Sequence, residues 1–481
     1  MTILVLTSRH VVLPLHDQPV PATIQADPST GKILSIELGY APSSQQSWPT
    51  DTYTLIDAGD LYILPGLVDR ASDISNKFTL PNDDDYSAHV HLNEPGRTDW
   101  EGFATGTQAA VAGGVTTVVD MPLNSIPPTT TVKNLEIKRD AARGQCWSDV
   151  AFWGGIIPGN QDDLLPLLEA GVKGFKCFLI NSGVEEFPNV EEHDLSLAMQ
   201  KLENTDAALL FHAELELDEH KADDDKKSSS SDPHDYATFL ASRPQEMELS
   251  AIQLVTRLQA SYPSVRCHIV HLTASSALPL LRRAKQTVGG STLTVETCFH
   301  YLTFLASDVP RGRPEFKCCP PIRDERNREA LWEALGDGTI DFVVSDHSPC
   351  VASLKEVDGG DFMKAWGGVS GLGLGLSALW TGAKKRGYGI REVVRWTCEN
   401  TAVHARLHHR KGKIQVGYDA DLILWDPDKE IQISKDEMHF KNKLSPFEGV
   451  RLLGEVQQTF VRGVLAWSRD SGFQKPLGQL L

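Results

Sequence analysis

At 481 residues, with 41% hydrophobic and 23% charged residues, the chain is of ordinary globular composition and too long for one small core. Its formal net charge of -18 argues against nucleic acid or an anionic membrane surface as a partner. Eight dispersed cysteines without a CxxC pair read as reduced thiols of a cytoplasmic protein. The opening "MTILVLTSRHVV" makes a poor signal peptide, and no run of about 20 apolar residues suggests a membrane helix.

Residues 1–59 carry short alternating strands such as "TGKILSIEL", and 413–481 read the same way in "DADLILWDPD" and "VQQTFVRGVLAWS". Both ends are expected to build one small β-sandwich domain flanking residues 60–412. Inside that middle segment a first strand ends near His91. There follow "VTTVVD" (115–120), "VAFWGGI" (150–156), "VKGFKCFL" (172–179), "AALLFHA" (207–213), "CHIVHL" (267–272), "TLTVETC" (292–298) and "IDFVVSD" (340–346). Segments 98–112, 132–143, 161–170 and 275–287 have the patterning of surface helices. Eight strands alternating with helices predict an α/β fold, a (β/α)8 TIM-type barrel. The charged, Ser-rich stretch "KADDDKKSSSSDPHD" (221–235) reads as a solvated loop.

Chemistry in such a barrel gathers at the C-terminal ends of the strands. Those ends carry His89, His91, Lys176, His212, His271 and Asp346. In "AHVHL" the two histidines share one strand face, where they either grip a metal or stand as a half-exposed pair. His212 and His271 have a structural reading as hydrogen-bonded strand-end residues, and Asp346 one as a helix cap. Lys176 is harder to explain away, because "GFKCFL" is an apolar strand and an unpaired ammonium is costly to bury there. It needs an anionic partner or a modified form.

The segments "HVHLNEPGR", "GGVTTVVDMPLNSIPPT", "GFKCFL", "FHAE", "VHLTA", "FKCCPPIRD" and "VVSDHSPC", in that order, resemble the allantoinases of the amidohydrolase superfamily. The resemblance extends from "TLIDAGDLYILPGLVD" to "GYDADLILWDPD" and "HFKNKLSPFEG". It implies two divalent metal ions, Zn2+ in the first instance, bridged by an N6-carboxylated Lys176. His89 and His91 would hold one ion, His212 and His271 the other, with Asp346 completing the first site and moving the catalytic proton. The implied substrate is allantoin, opened to allantoate in purine catabolism, and the implied assembly is a homodimer or homotetramer. Asn93 stands where dihydroorotate-cleaving relatives have a carboxylate-binding arginine. Asn181 stands where dihydropyrimidinase-like relatives have a tyrosine. With Asn124, the Cys319 main chain and Ser348, they form the expected substrate contacts.

One stretch breaks the pattern. In the family "PGLVD" is followed almost at once by "HVHL", whereas here "RASDISNKFTLPNDDDYS" (70–87) intervenes. Either it is a surface loop or it is translated sequence from an unremoved short intron; the abrupt interruption of an otherwise intact motif favours the second. Phe299 in "ETCFHYL" replaces a proline common among relatives. Two other functions compete with the first: a dihydropyrimidinase or hydantoinase using the same metals, and a non-catalytic homologue whose site the insertion has broken.

Overall fold

The computed structural model describes residues 2–42, 52–69, 90–217, 232–287 and 292–481. His89, all of 70–87 and most of the Ser-rich stretch lie outside the described residues.

A nine-stranded sheet is assembled from the two ends of the chain. Ile3–Val11 pairs with Val20–Asp27, Tyr53–Asp57 and Tyr62–Pro65, and Tyr62–Pro65 pairs antiparallel with Leu422–Gln432. Its core, including Leu6, Ile24, Ile63, Leu422 and Phe460, is separate from that of the barrel. The seam with the barrel falls at Gly66, not at residue 59: Tyr62–Pro65 belongs to the terminal sheet and Leu67–Asp69 to the barrel. A Cβ on Gly66 would lie 2.2 Å from Thr116 Oγ1, so the crossover needs a residue without a side chain.

Eight parallel strands form the (β/α)8 barrel expected from the alternation: Leu67–Asp69, Val115–Asp120, Asp149–Phe152, Gly174–Phe178, Ala208–His212, Arg266–Ile269, Leu293–Cys298 and Phe342–Val344. The run "VAFWGGI" is not one strand. It breaks at Trp153, and Gly154–Gly155 turns to pair with Gly174–Phe178. Bridges from Val90 to Asp120 and to His347 draw the first and last strands together. Helices Phe103–Ala112, Val132–Ala142, Leu164–Glu169 and Leu278–Thr287 fall within the segments patterned for them. The second starts where Thr131 accepts a hydrogen bond from Asn134 N–H, a side-chain cap.

Alternation along the strands places one set of side chains inside. Val119, Ala151, Trp153, Ala208, Leu210 and Val270 pack in one cluster, distinct from the larger cluster that holds Phe175 and Cys177. Lys176 and His212 therefore share the interior face with Phe178 and Leu210.

A buried knot of charge joins barrel and terminal sheet. Lys411 Nζ lies 2.6 Å from Asp149, 2.7 Å from Asp421 and 3.1 Å from Asp419, and Arg462 also binds Asp149. Lys411 is 1% exposed. Replacing it with methionine takes from Asp421 its ion-pair partner, while Asp149 keeps Arg462 and Asp419 keeps Lys32 and Arg410. The buried carboxylate left behind costs about 3–5 kcal/mol. Thermal unfolding of Lys411→Met should begin well below that of the wild type; an unchanged melting curve would show that the knot contributes nothing.

Candidate active site

The strand ends open into a cavity of about 300 Å³, a volume fit for a small molecule. His91, His212, His271 and Asp346 line it. Lys176 lies beneath, 0% exposed, its Nζ without a hydrogen-bond partner among the described residues. Burial pulls the amine down to about 8, against the raising pull of Glu296 and Asp346.

Each imidazole is oriented. Asn124 Nδ2 stands 3.3 Å from His91 Nδ1, which leaves His91 Nε2 facing Asp346 Oδ1 at 3.8 Å. His212 Nε2 pairs with Glu214 Oε2 at 2.8 Å, and Glu214 is held in turn by Arg243 at 2.6 Å. That pairing leaves His212 Nδ1 as the basic nitrogen, the arrangement in which an outer carboxylate fixes a metal-binding tautomer. The rings of His212 and His271 meet edge-on at 4.6 Å between centroids, and Phe178 stacks on His212 at 4.4 Å. Glu296 Oε1 accepts the His271 backbone N–H at 3.2 Å while its other oxygen meets His268 Nε2 at 3.1 Å.

Burial disfavours charge throughout. It drives the Asp346 carboxyl up to about 7, with Lys176 opposing and Asp69 adding to the rise. It holds His91, His271 and His212 below the ordinary histidine value, so the rings stay neutral and keep lone pairs. Backbone strain also collects here. Asn93, Asn124, His271 and Asp346 have φ of 62°, 65°, 40° and 43°, a region that non-glycine residues seldom enter and that clusters at functional sites.

Four of the expected substrate contacts, Asn124, Asn181, Cys319 and Ser348, line the cavity. Asn181 is on the rim, its Oδ1 turned back to the Gly183 N–H at 2.8 Å. Asn93 is not among the lining residues. It is 1% exposed, and its Nδ2 donates to the Pro349 carbonyl at 3.4 Å, which ties the segment after the first strand to that after the last. Residue-type reasoning passed over Glu214, Glu296 and Arg243. Glu296 had a readable signal: it is an acid at an inward position of an apolar strand, the same anomaly that exposed Lys176.

An amidohydrolase family model matches residues 63–466. An allantoinase from Saccharomyces cerevisiae is 45% identical, with 100% of this chain and 99% of that one aligned. The chain belongs to the amidohydrolase family, among the allantoinases. A relative from Aquarana catesbeiana named "Allantoinase, mitochondrial" is 52% identical over 72% of this chain and 66% of its own. Among solved structures, an L-hydantoinase (dihydropyrimidinase) from Arthrobacter aurescens superposes with a TM-score of 0.87 at 28% identity, covering 100% of this chain and 99% of that one. The family is metal-dependent, and the barrel is the one its members share. Two triads of potential metal-binding groups occur among the described residues. One, Asp149, Asp419 and Asp421, already has Lys411 as its cation; the other, Cys298, His300 and Asp346, adjoins the cavity through Asp346.

Proposed function

We propose that this chain hydrolyses the cyclic amide of allantoin to allantoate with a binuclear site held by His89, His91, Lys176, His212, His271 and Asp346. The observation that carries the reading is the orphaned Lys176 amine, 0% exposed among neutral imidazoles and a carboxyl group. An amine held at about 8 is in part unprotonated at neutral pH. That form attacks carbon dioxide, giving a carbamate and releasing one proton. The resulting anion meets the cost of burying a lone ammonium and suits two divalent ions, zinc in this reading. Bound metal ions would supply Lewis acidity, lowering the pKa of water and polarising a carbonyl.

The chain's own groups do the rest. Asp346, on the cavity wall with its Oδ1 3.8 Å from His91 Nε2, would accept a proton from attacking water and return it to the departing ring nitrogen. The ring C–N bond breaks, nitrogen keeps that proton, and the new carboxyl group ionises. Asn124 Oδ1 has no partner among the described residues and offers an acceptor to a ureido N–H. Asn181, Ser348 and the Cys319 main chain complete the contacts. Asn93 acts at one remove, through the Pro349 carbonyl.

No helix among the described residues is long and apolar enough to cross a membrane. All eight cysteines are free thiols, which supports a reducing, cytoplasmic location. The assembly would be a homodimer or homotetramer.

The test is turnover of allantoin, hydantoin and dihydrouracil by protein loaded with zinc in bicarbonate. Allantoin should be preferred by at least an order of magnitude in kcat/KM. A preference for either of the others would move the protein to the hydantoinase reading, and zinc binding without turnover of any would favour a non-catalytic homologue.

A further inference from the structure

Lys355 is a buried lysine outside the metal-binding constellation, 3% exposed. No carboxylate lies within ion-pair distance of it among the described residues. Instead its Nζ reaches three main-chain carbonyls: Lys317 at 3.0 Å, Trp366 at 2.8 Å and Gly368 at 2.5 Å. An ammonium has three donors, so this cage uses all of them. The acceptors come from two segments distant in sequence, and both reach the cavity wall, at Lys317–Cys319 and Trp366–Gly368.

These segments touch closely. Gly368 N–H donates to the same Lys317 carbonyl at 2.9 Å. A Cβ on Gly367 would lie 2.8 Å from Cys319 Sγ, and one on Gly368 would lie 2.3 Å from the Ser348 carbonyl oxygen. Two glycines thus let three pieces of backbone meet beside the cavity. The loop between Lys355 and Trp366 has other anchors at its middle, where buried Phe362 donates its N–H to the Pro233 carbonyl at 2.8 Å and Lys317 Nζ reaches the Met363 carbonyl at 3.0 Å. The Lys355 ammonium is the group that joins its start to both Trp366 and Gly368. Leu354 is 40% and Met363 41% exposed, and Trp366 N–H bonds only within the loop, to Leu354 O. Burying a cation with carbonyl partners alone is costly, and hydrophobic replacements of such groups often match them in stability.

We propose that Lys355 is a positioning residue for the reaction, clamping Trp366–Gly368 against Lys317–Cys319 so that the Cys319 backbone and Ser348 stand where the substrate ring is received. It touches no substrate and acts through the two segments it joins. The proposal rests on the allantoin-hydrolysing reading for its kinetic arm only.

The experiment compares wild type, Lys355→Met, which removes all three donors at similar volume, and Lys355→Gln, which keeps two. Full-length, metal-loaded protein is used throughout. The expected result for Lys355→Met is a KM for allantoin raised at least tenfold, kcat within about threefold, and unchanged metal content; Lys355→Gln should fall between. In parallel, tryptic cleavage after Lys364, followed by mass spectrometry, should quicken at least tenfold in Lys355→Met. This arm needs no substrate, so it reads the clamp even where wild-type protein fails to turn over allantoin. A KM within twofold of wild type with unchanged cleavage at Lys364 overturns the proposal. So does a loss of metal and melting temperature in both variants in proportion to the loss of activity, since that describes a general structural role. Should Lys355→Met not fold, the glutamine variant decides by the same two readings.

Discussion

Lys176→Ala should lose activity by at least about a thousandfold and lose its bound metal in the same preparation. Removing a single preorganised electrostatic group from an active site costs about a hundred- to a thousandfold, and here the group would be a ligand shared by two ions. The sign of the stability change separates this from simple unfolding. The Nζ has no hydrogen bond among the described residues, and burial penalises its charge, so the metal-free variant should melt no lower than metal-free wild type by more than the small packing loss of the side-chain stem. Metal analysis, kinetics and thermal unfolding on one batch make the measurement. Turnover near that of wild type, or a full complement of metal in the variant, would sink the carbamate assignment.

The second large effect concerns 70–87. On the neighbouring strand Val115–Asp120, Leu67 lies opposite Val115, Val68 opposite Thr117, Asp69 opposite Val118 and Val90 opposite Asp120. The register therefore slips at Val68, passing over Thr116, and only one position remains between Asp69 and Val90. If 70–87 are removed, the residues from Leu67 to Val90 become Leu67, Val68, Asp69, Ala88, His89 and Val90. Six residues then face the six of Val115–Asp120 with no slip, and each side chain keeps one assigned face. The excised chain should bind metal more tightly, melt higher, and hydrolyse allantoin at least tenfold faster than the chain with all 481 residues. Purified side by side, the two proteins decide between the origins of the segment. Equal metal content and equal turnover would establish it as a tolerated loop.

Much of the site was legible because the anomalies were local. A lysine in "GFKCFL" and histidines closing "LLFH" and "CHIVH" stand out against apolar strands, and strand alternation alone puts Lys176 and His212 inside. What escaped was set by backbone conformation or by partners remote in sequence. Asn93 has the right chemistry for a ureide, yet it is 1% exposed and its Nδ2 reaches the Pro349 carbonyl, a partner 256 positions away that no local pattern marks. Lys355 binds carbonyls, which any residue supplies, so no side-chain signature marks its partners. The seam at Gly66 is hidden within "LYILPGLVD", where both sheets demand the same apolar residues and only pairing tells them apart.

The pairing of Tyr62–Pro65 with Leu422–Gln432 sets an order of events during synthesis. Roughly 360 residues separate the two strands, and at about 5–20 residues per second the first waits some 20–70 s for its neighbour to leave the ribosome. Throughout that interval the side of Tyr62–Pro65 that Leu422–Gln432 covers has no partner strand, and only its shortness and Pro65 guard it against pairing with another chain. The terminal sheet can close only after the whole barrel has been made. Chains stalled or cut anywhere before Leu422 therefore leave that side of the strand uncovered however well the barrel itself has folded.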